Sequence, residues 1–183
     1  MEPVIDQPIS LDAVLSFLVS SRLFGDLDPE ERAEVVRIME IQRLQKGEEI
    51  FHEGDPGDSW YVVFEGQVEV VVATASGGER QVSVLDPGAC FGEMAMLDGA
   101  ERSASVRAFG PITIFRFRRK HFEELLSEGS LGAYKLVLAI AREMSPRLRQ
   151  LTSQVSDLLE QGQSGAEMGA DVSDLVEQTL ASE

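Results

Sequence analysis

Two side chains of opposite sign stand close together near the middle of the chain, with Glu93 in the run CFGEMAML and Arg102 in the run ERSASVRA. A turn glycine such as Gly92, placed between a strand-like run and a short helix, leaves first-turn N–H groups without intrahelical partners. Those groups are the raw material of an anion site. Arg102 adds a planar fork that can bind two phosphate oxygens, and Ser103 adds a hydroxyl donor. Ala95, Gly99, Ala100 and Ala104 keep the neighbourhood small enough for a ligand to approach the backbone. Glu93 is repulsive beside an anion unless it faces a donor, and a sugar hydroxyl is such a donor. A phosphate joined to a ribose would use both charges. The competing reading pairs Arg102 with Glu93 or Glu101 on a surface loop, an arrangement worth about 0–1 kcal/mol. The alternation in SASVRA places Arg102 at the mouth of a half-buried strand and favours the ligand.

Other chemistry finds less support. The two histidines, His52 and His121, fall in different elements, so the clustered ligands of a metal enzyme are missing and no metal is expected. No nucleophile, base and orienting group occur at recognisable spacing, so the chain is not read as an enzyme. Cys90 reads as a small buried filler and Trp60 as core. Sixteen Lys and Arg stand against 32 Asp and Glu, a net charge of -16, and the resulting field opposes nucleic acid and anionic membrane surfaces as partners. No apolar run is long enough to span a bilayer, the N-terminus lacks the pattern of a signal peptide, and a lone cysteine forms no internal disulfide. These features predict a cytoplasmic protein.

The elements that must hold Gly92, Glu93 and Arg102 follow from hydrophobic period. Leu11, Val14, Leu15, Leu18 and Val19 recur at helical spacing. A second helix opens at DPEE, with Asp28 as cap, Pro29 in the first turn and Glu31 completing a capping box; Val35, Val36 and Met39 form its expected buried face. From Arg43 to Phe117 short strand-like runs alternate with turn signals, which predicts an antiparallel β-roll or jelly roll. Helical period returns at His121 with Phe122, Leu125 and Leu126, and continues from Leu131 through Met144. Pro146 should kink this helix or mark a junction, with Ser145 as a cap. Leu148, Leu151, Val155 and Leu158 then run near heptad spacing. The class expected is α+β: an antiparallel β-roll flanked by N-terminal helices and a C-terminal lid helix. The expected division is an N-terminal helical segment at 1–22, a main domain at 23–150, and a helix end with an acidic tail at 151–183. No Lys or Arg follows Arg149.

Phe91-Gly92-Glu93-Met94-Ala95 followed by Arg102-Ser103-Ala104 resembles the phosphate-binding cassette of cyclic nucleotide-binding domains. The stretch from Lys46 to Val70, with Gly47, Gly54, Asp55, Gly57 and Gly66 at turn positions, resembles the first hairpins of that family, and DPGACFGE resembles its entry to the cassette. The likeness covers roughly residues 23–150. It implies that Arg102 binds the cyclic phosphate with Ser103 and the N–H groups of Met94 and Ala95, and that Glu93 accepts from the ribose 2′-hydroxyl. Val82 and Ser83 match positions lining the base pocket, with Val70 and Met94 as apolar walls. Met144, Arg147 and Leu148 are the lid residues placed to reach the purine. Cyclic AMP is favoured over cyclic GMP, because guanine-selecting members often carry threonine where this chain has Ser103.

Three readings of the output follow. One is a stand-alone sensor that signals through an unidentified protein effector or through a homodimer formed by the C-terminal helix. A second is a degenerate β-roll serving only as an interaction scaffold. The third, a transcription regulator without its DNA-binding domain, is disfavoured because the residues after Leu159 include no base to neutralise phosphates. Val172, Leu175, Val176 and Leu180 form a further small apolar face with acidic flanks, read either as a dock for a basic partner or as a disordered tail with incidental periodicity. The intact Gly92, Glu93, Arg102 and Ala104 favour the sensor.

Overall fold

The computed structural model describes residues 9–149 together with 152, 153 and 156. The chain divides into two units, Met1–Ile140 and Ala141–Glu183. Within the first, helices α1 (Leu11–Ser20) and α2 (Pro29–Arg37) precede eight strands and the short helix α3 (Glu93–Asp98), and α4 (Arg119–Ser127) follows them. The strands are β1 (Met39–Leu44), β2 (Glu49–Phe51), β3 (Ser59–Glu65), β4 (Val68–Ala73), β5 (Glu79–Leu85), β6 (Cys90–Phe91), β7 (Ser105–Ala108) and β8 (Ile112–Arg118). They form two four-stranded sheets in the orders β1-β8-β3-β6 and β2-β7-β4-β5, with antiparallel pairing throughout. This is the β-roll expected from the alternating runs.

Period-two patterning divides the apolar residues between two layers. On β3 and β8, Tyr61, Val63, Ile112 and Ile114 join Val68, Phe91, Val106 and Ala108 in the core of the roll. The alternate residues face the helices: Trp60 stacks on Phe117 with centroids 4.4 Å apart, Phe122 of α4 meets Trp60 edge-on, and Phe17 of α1 packs on Phe64 and Phe115. Because β3 and β8 are covered on both faces, their sequences read as nearly continuous apolar runs.

At the start of α2, Asp28 accepts from the Glu30 and Glu31 N–H groups while the Glu31 carboxylate accepts from the Asp28 N–H, the expected capping box. The helix ends at Arg37, so Met39 belongs to β1 and not to the buried face of α2. At the point where the apolar period would continue the helix, the chain is already pairing with β8, with Met39 opposite Phe117. Only Val14 and Leu18 of the α1 period are buried, while Leu11, Leu15 and Val19 are exposed. Lying on one sheet, the helix buries a single i, i+4 stripe. Residues 131–149 are helical and run through Pro146. Ser145 does not cap: its hydroxyl donates back to the Ala141 carbonyl at 2.9 Å, the bond a mid-helix serine makes. The expected apolar positions Leu151, Val155, Leu158, Val172, Leu175, Val176 and Leu180 lie outside the described residues.

Candidate ligand site

The site is assembled around the turn between β6 and α3. Gly92 adopts φ +72 and forms the N-terminal boundary of α3, with no side chain capping that end. A Cβ at Gly92 would sit 2.6 Å from Arg102 Nη1 and 3.3 Å from the Phe51 ring, so left-handed backbone and close approach both require glycine. Behind α3, the β2–β3 loop presses so near that a Cβ on Gly57 would collide with that of Ala95. The same loop fixes the backbone of Arg102, whose N–H donates to the Asp55 carbonyl at 2.9 Å and whose carbonyl accepts from the Gly54 N–H at 2.8 Å.

From that anchor the Arg102 side chain turns inward. It is 4% exposed, so the surface ion pair considered above is not what it makes. Nη1 donates to the Gly92 carbonyl at 2.8 Å and Nη2 to the Ser59 carbonyl at 2.7 Å, while the guanidinium carbon lies 4.1 Å from the centroid of Phe51. The nearest paired carboxylate, Asp58, stands 3.8 Å away. Nε is buried and without a hydrogen-bond partner among the described residues. Burial pulls the guanidinium pKa below its ordinary value, yet arginine stays charged at neutral pH. A buried cation with an unspent donor is chemically suited to an anionic ligand.

Glu93 is the other buried charge at this turn, 5% exposed at the first position of α3. Ala95 is buried beside it, Met94 is 48% exposed, Ser103 is exposed and Ala104 is half-buried. On the second sheet Val70 and Ser83 face each other across β4 and β5; Val70 packs partly into the roll's core, whereas Val82 and Ser83 are exposed. Arg147 and Met144 are half-buried and Leu148 is exposed, all three in the second unit.

Phe51, Asp58, Ser59, Tyr61 and Arg116 were not singled out from sequence, although each lies near Arg102 or its partners. With Gln42 they contribute to a pocket of about 400 Å³ that Arg102 also lines, Ser59 excepted. Burial raises the Tyr61 pKa, so the phenol is neutral at physiological pH. The signal for Arg116 was its parity: on β8 it falls in the same row as Ile112 and Ile114, where an inward residue should be apolar. Among the described residues no three His, Cys, Asp or Glu side chains are grouped to hold a metal ion, and no helix is long and apolar enough to cross a membrane.

Residues 41–128 match the model of the cyclic nucleotide-binding domain. The chain is 34% identical over 124 residues to the cyclic AMP receptor protein of Thermus thermophilus, covering 68% of this chain and 57% of that protein. It is 36% identical over 135 residues to a cAMP-dependent protein kinase regulatory subunit of Hypocrea atroviridis, covering 72% of this chain and 28% of the other. In both cases the chain spans less than two thirds of the curated relative. Among solved structures, the N-terminal domain of a transcriptional regulator from Streptomyces coelicolor superposes with a TM-score of 0.62 at 30% identity, covering 74% of this chain and 94% of that one.

Proposed function

The chain belongs to the cyclic nucleotide-binding domain family, and from that premise we propose that it is a cyclic-nucleotide sensor that prefers cyclic AMP to cyclic GMP. Its output passes to a protein partner or to a second copy of the chain. The role is regulatory, in keeping with relatives described as a cyclic AMP receptor and a kinase regulatory subunit.

The observation that carries this reading is Arg102, a buried guanidinium with an unpartnered Nε at the mouth of an uncapped helix turn. Arg102 takes the cyclic phosphate, with Ser103 and the first-turn N–H groups of Met94 and Ala95. Glu93 accepts from the ribose 2′-hydroxyl. Val70, Val82, Ser83 and Met94 contact the base. Net charge does not oppose this, because exposed charges are screened beyond about 8 Å at physiological salt whereas Arg102 acts at contact distance in a buried setting.

Calorimetric titration of both cyclic nucleotides, with light scattering to follow association of the chain, tests the reading. Cyclic AMP should bind more tightly than cyclic GMP. Arg102→Ala should weaken binding by about 30-fold to several thousand-fold, the range for removing one side of a buried charge pair. Absence of binding by the wild-type chain at millimolar nucleotide would refute the sensor and leave the scaffold reading.

A further inference from the structure

Asp58 stands between two arginines and serves them unequally. Its Oδ2 accepts from Arg116 Nη2 at 2.9 Å, whereas its Oδ1 lies 3.8 Å from Arg102 Nη2, beyond hydrogen-bond reach. Ser59 separates the same pair: its carbonyl accepts from Arg102 Nη2 at 2.7 Å and its hydroxyl from Arg116 Nε at 2.8 Å. On its far side Arg116 has Glu40 at 3.9 Å, and Glu40 is itself bonded by Arg118 at 2.6 Å. The short contact to Asp58 therefore belongs to Arg116, and Arg102 keeps a buried, under-compensated charge.

The geometry would permit another arrangement. The Asp58 side chain is 64% exposed and so has room to rotate, while that of Arg102 is 2% exposed and fixed by two carbonyls. Rotation of the carboxylate onto Arg102 would fill the guanidinium fork with an internal anion and leave less of it for a ligand. What holds Asp58 back is Arg116, a cation in the inward row of β8 where Ile112 and Ile114 are apolar.

We infer that Arg116 is a positioning residue for the anion site: by engaging Asp58 it keeps that carboxylate off Arg102 and so raises affinity for the phosphate. The inference rests on the reading of Arg102 as the phosphate contact. Arg116 touches no ligand atom in this account and acts through Asp58 alone.

The test compares wild type, Arg116→Gln, Arg116→Lys, Asp58→Asn and the Asp58→Asn/Arg116→Gln double variant by two readouts. One is the dissociation constant for cyclic AMP; the other is the Arg102 Nε–H NMR resonance of the ligand-free protein, assigned by its loss in Arg102→Lys. Arg116→Gln should weaken binding by about tenfold, the scale of one charged hydrogen bond gained by the competing state. Arg116→Lys keeps a cation beside Asp58 and should weaken it less. The double variant should recover the wild-type constant, because the released side chain is then a neutral amide. The Arg102 resonance should move in Arg116→Gln and return in the double variant. Equal affinity in wild type and Arg116→Gln, or a double variant as weak as Arg116→Gln, would overturn the inference. If wild type binds no cyclic nucleotide, the proposed function fails, and the resonance still decides: an unmoved Arg102 signal in Arg116→Gln overturns the positioning role. Should Arg116→Gln fail to fold, Arg116→Lys and Asp58→Asn/Arg116→Lys carry the same comparison.

Discussion

Replacing Gly92 with alanine separates backbone strain from side-chain crowding at the centre of the site. Gly92 holds φ +72, and a Cβ there meets Arg102 Nη1 at 2.6 Å. Left-handed backbone costs an alanine about 1–2 kcal/mol, and the stiffer unfolded chain returns about 0.4–1 kcal/mol of it. Crowding adds a second cost, because the guanidinium is also the donor to the Gly92 carbonyl at 2.8 Å and must shift to clear the methyl. A hydrogen bond from a charged group contributes about 1.5–3 kcal/mol, so Gly92→Ala should lose about 2–4 kcal/mol in all. Gly47 supplies the control: its φ is +82 but nothing lies within 4 Å of its Cβ position. Gly47→Ala should lose only the strain remaining after the unfolded-state gain, about 1 kcal/mol or less. Urea denaturation of the ligand-free proteins measures both, and calorimetry should show weaker cyclic AMP binding for Gly92→Ala alone. Equal losses for the two variants would refute the claim that Arg102 rests against this glycine.

Glu93→Gln should weaken cyclic AMP by about tenfold while leaving a 2′-deoxy analogue nearly unchanged, since of the two ligands only cyclic AMP offers this carboxylate a 2′-hydroxyl; equal weakening of both ligands would remove Glu93 from the sugar. Asp28→Ala opens the capping box of α2 and should cost about 1 kcal/mol in urea denaturation, with cyclic nucleotide affinity unaffected. The hydrogen bond from Arg118 holds Glu40 below the ordinary carboxyl value of 4.5. A folded-state pKa lower than the unfolded one means that the stabilisation is complete above 4.5 and is lost as pH falls through the lowered value. Glu40→Gln should therefore flatten the fall in stability on the acid side, and unchanged acid denaturation curves would count against the pairing.

The order of elements was legible because each rests on local rules. Asp28, Pro29 and Glu31 specify a helix start from four consecutive side chains, and the alternation around SASVRA specifies a strand whichever partner it finds. Met39 was misplaced because a helical period and a strand that begins at once both accommodate one apolar residue beyond Arg37. In α1, the five apolar positions offered a wider stripe than one sheet can cover, and which stripe was buried depended on where Phe64 and Phe115 stood.

The candidate site was written in short spacing, with Gly92, Glu93, Arg102 and Ser103 close enough in sequence for a turn to gather them. That Arg102 would be buried was not. Its surroundings come from Phe51 and Ser59 on other strands and from the loop at Asp55, brought together only when the two sheets close into a roll. Charge counts along the chain likewise could not tell which arginine Asp58 would serve, because a carboxylate's partner is chosen by distance in space and not by separation in sequence. Composition and period determined a β-roll and a glycine turn with an arginine close by in sequence; closure of the sheets decided that this arginine is dry, aromatic-backed and under-paired, since burial and Coulomb contact are properties of packed neighbours.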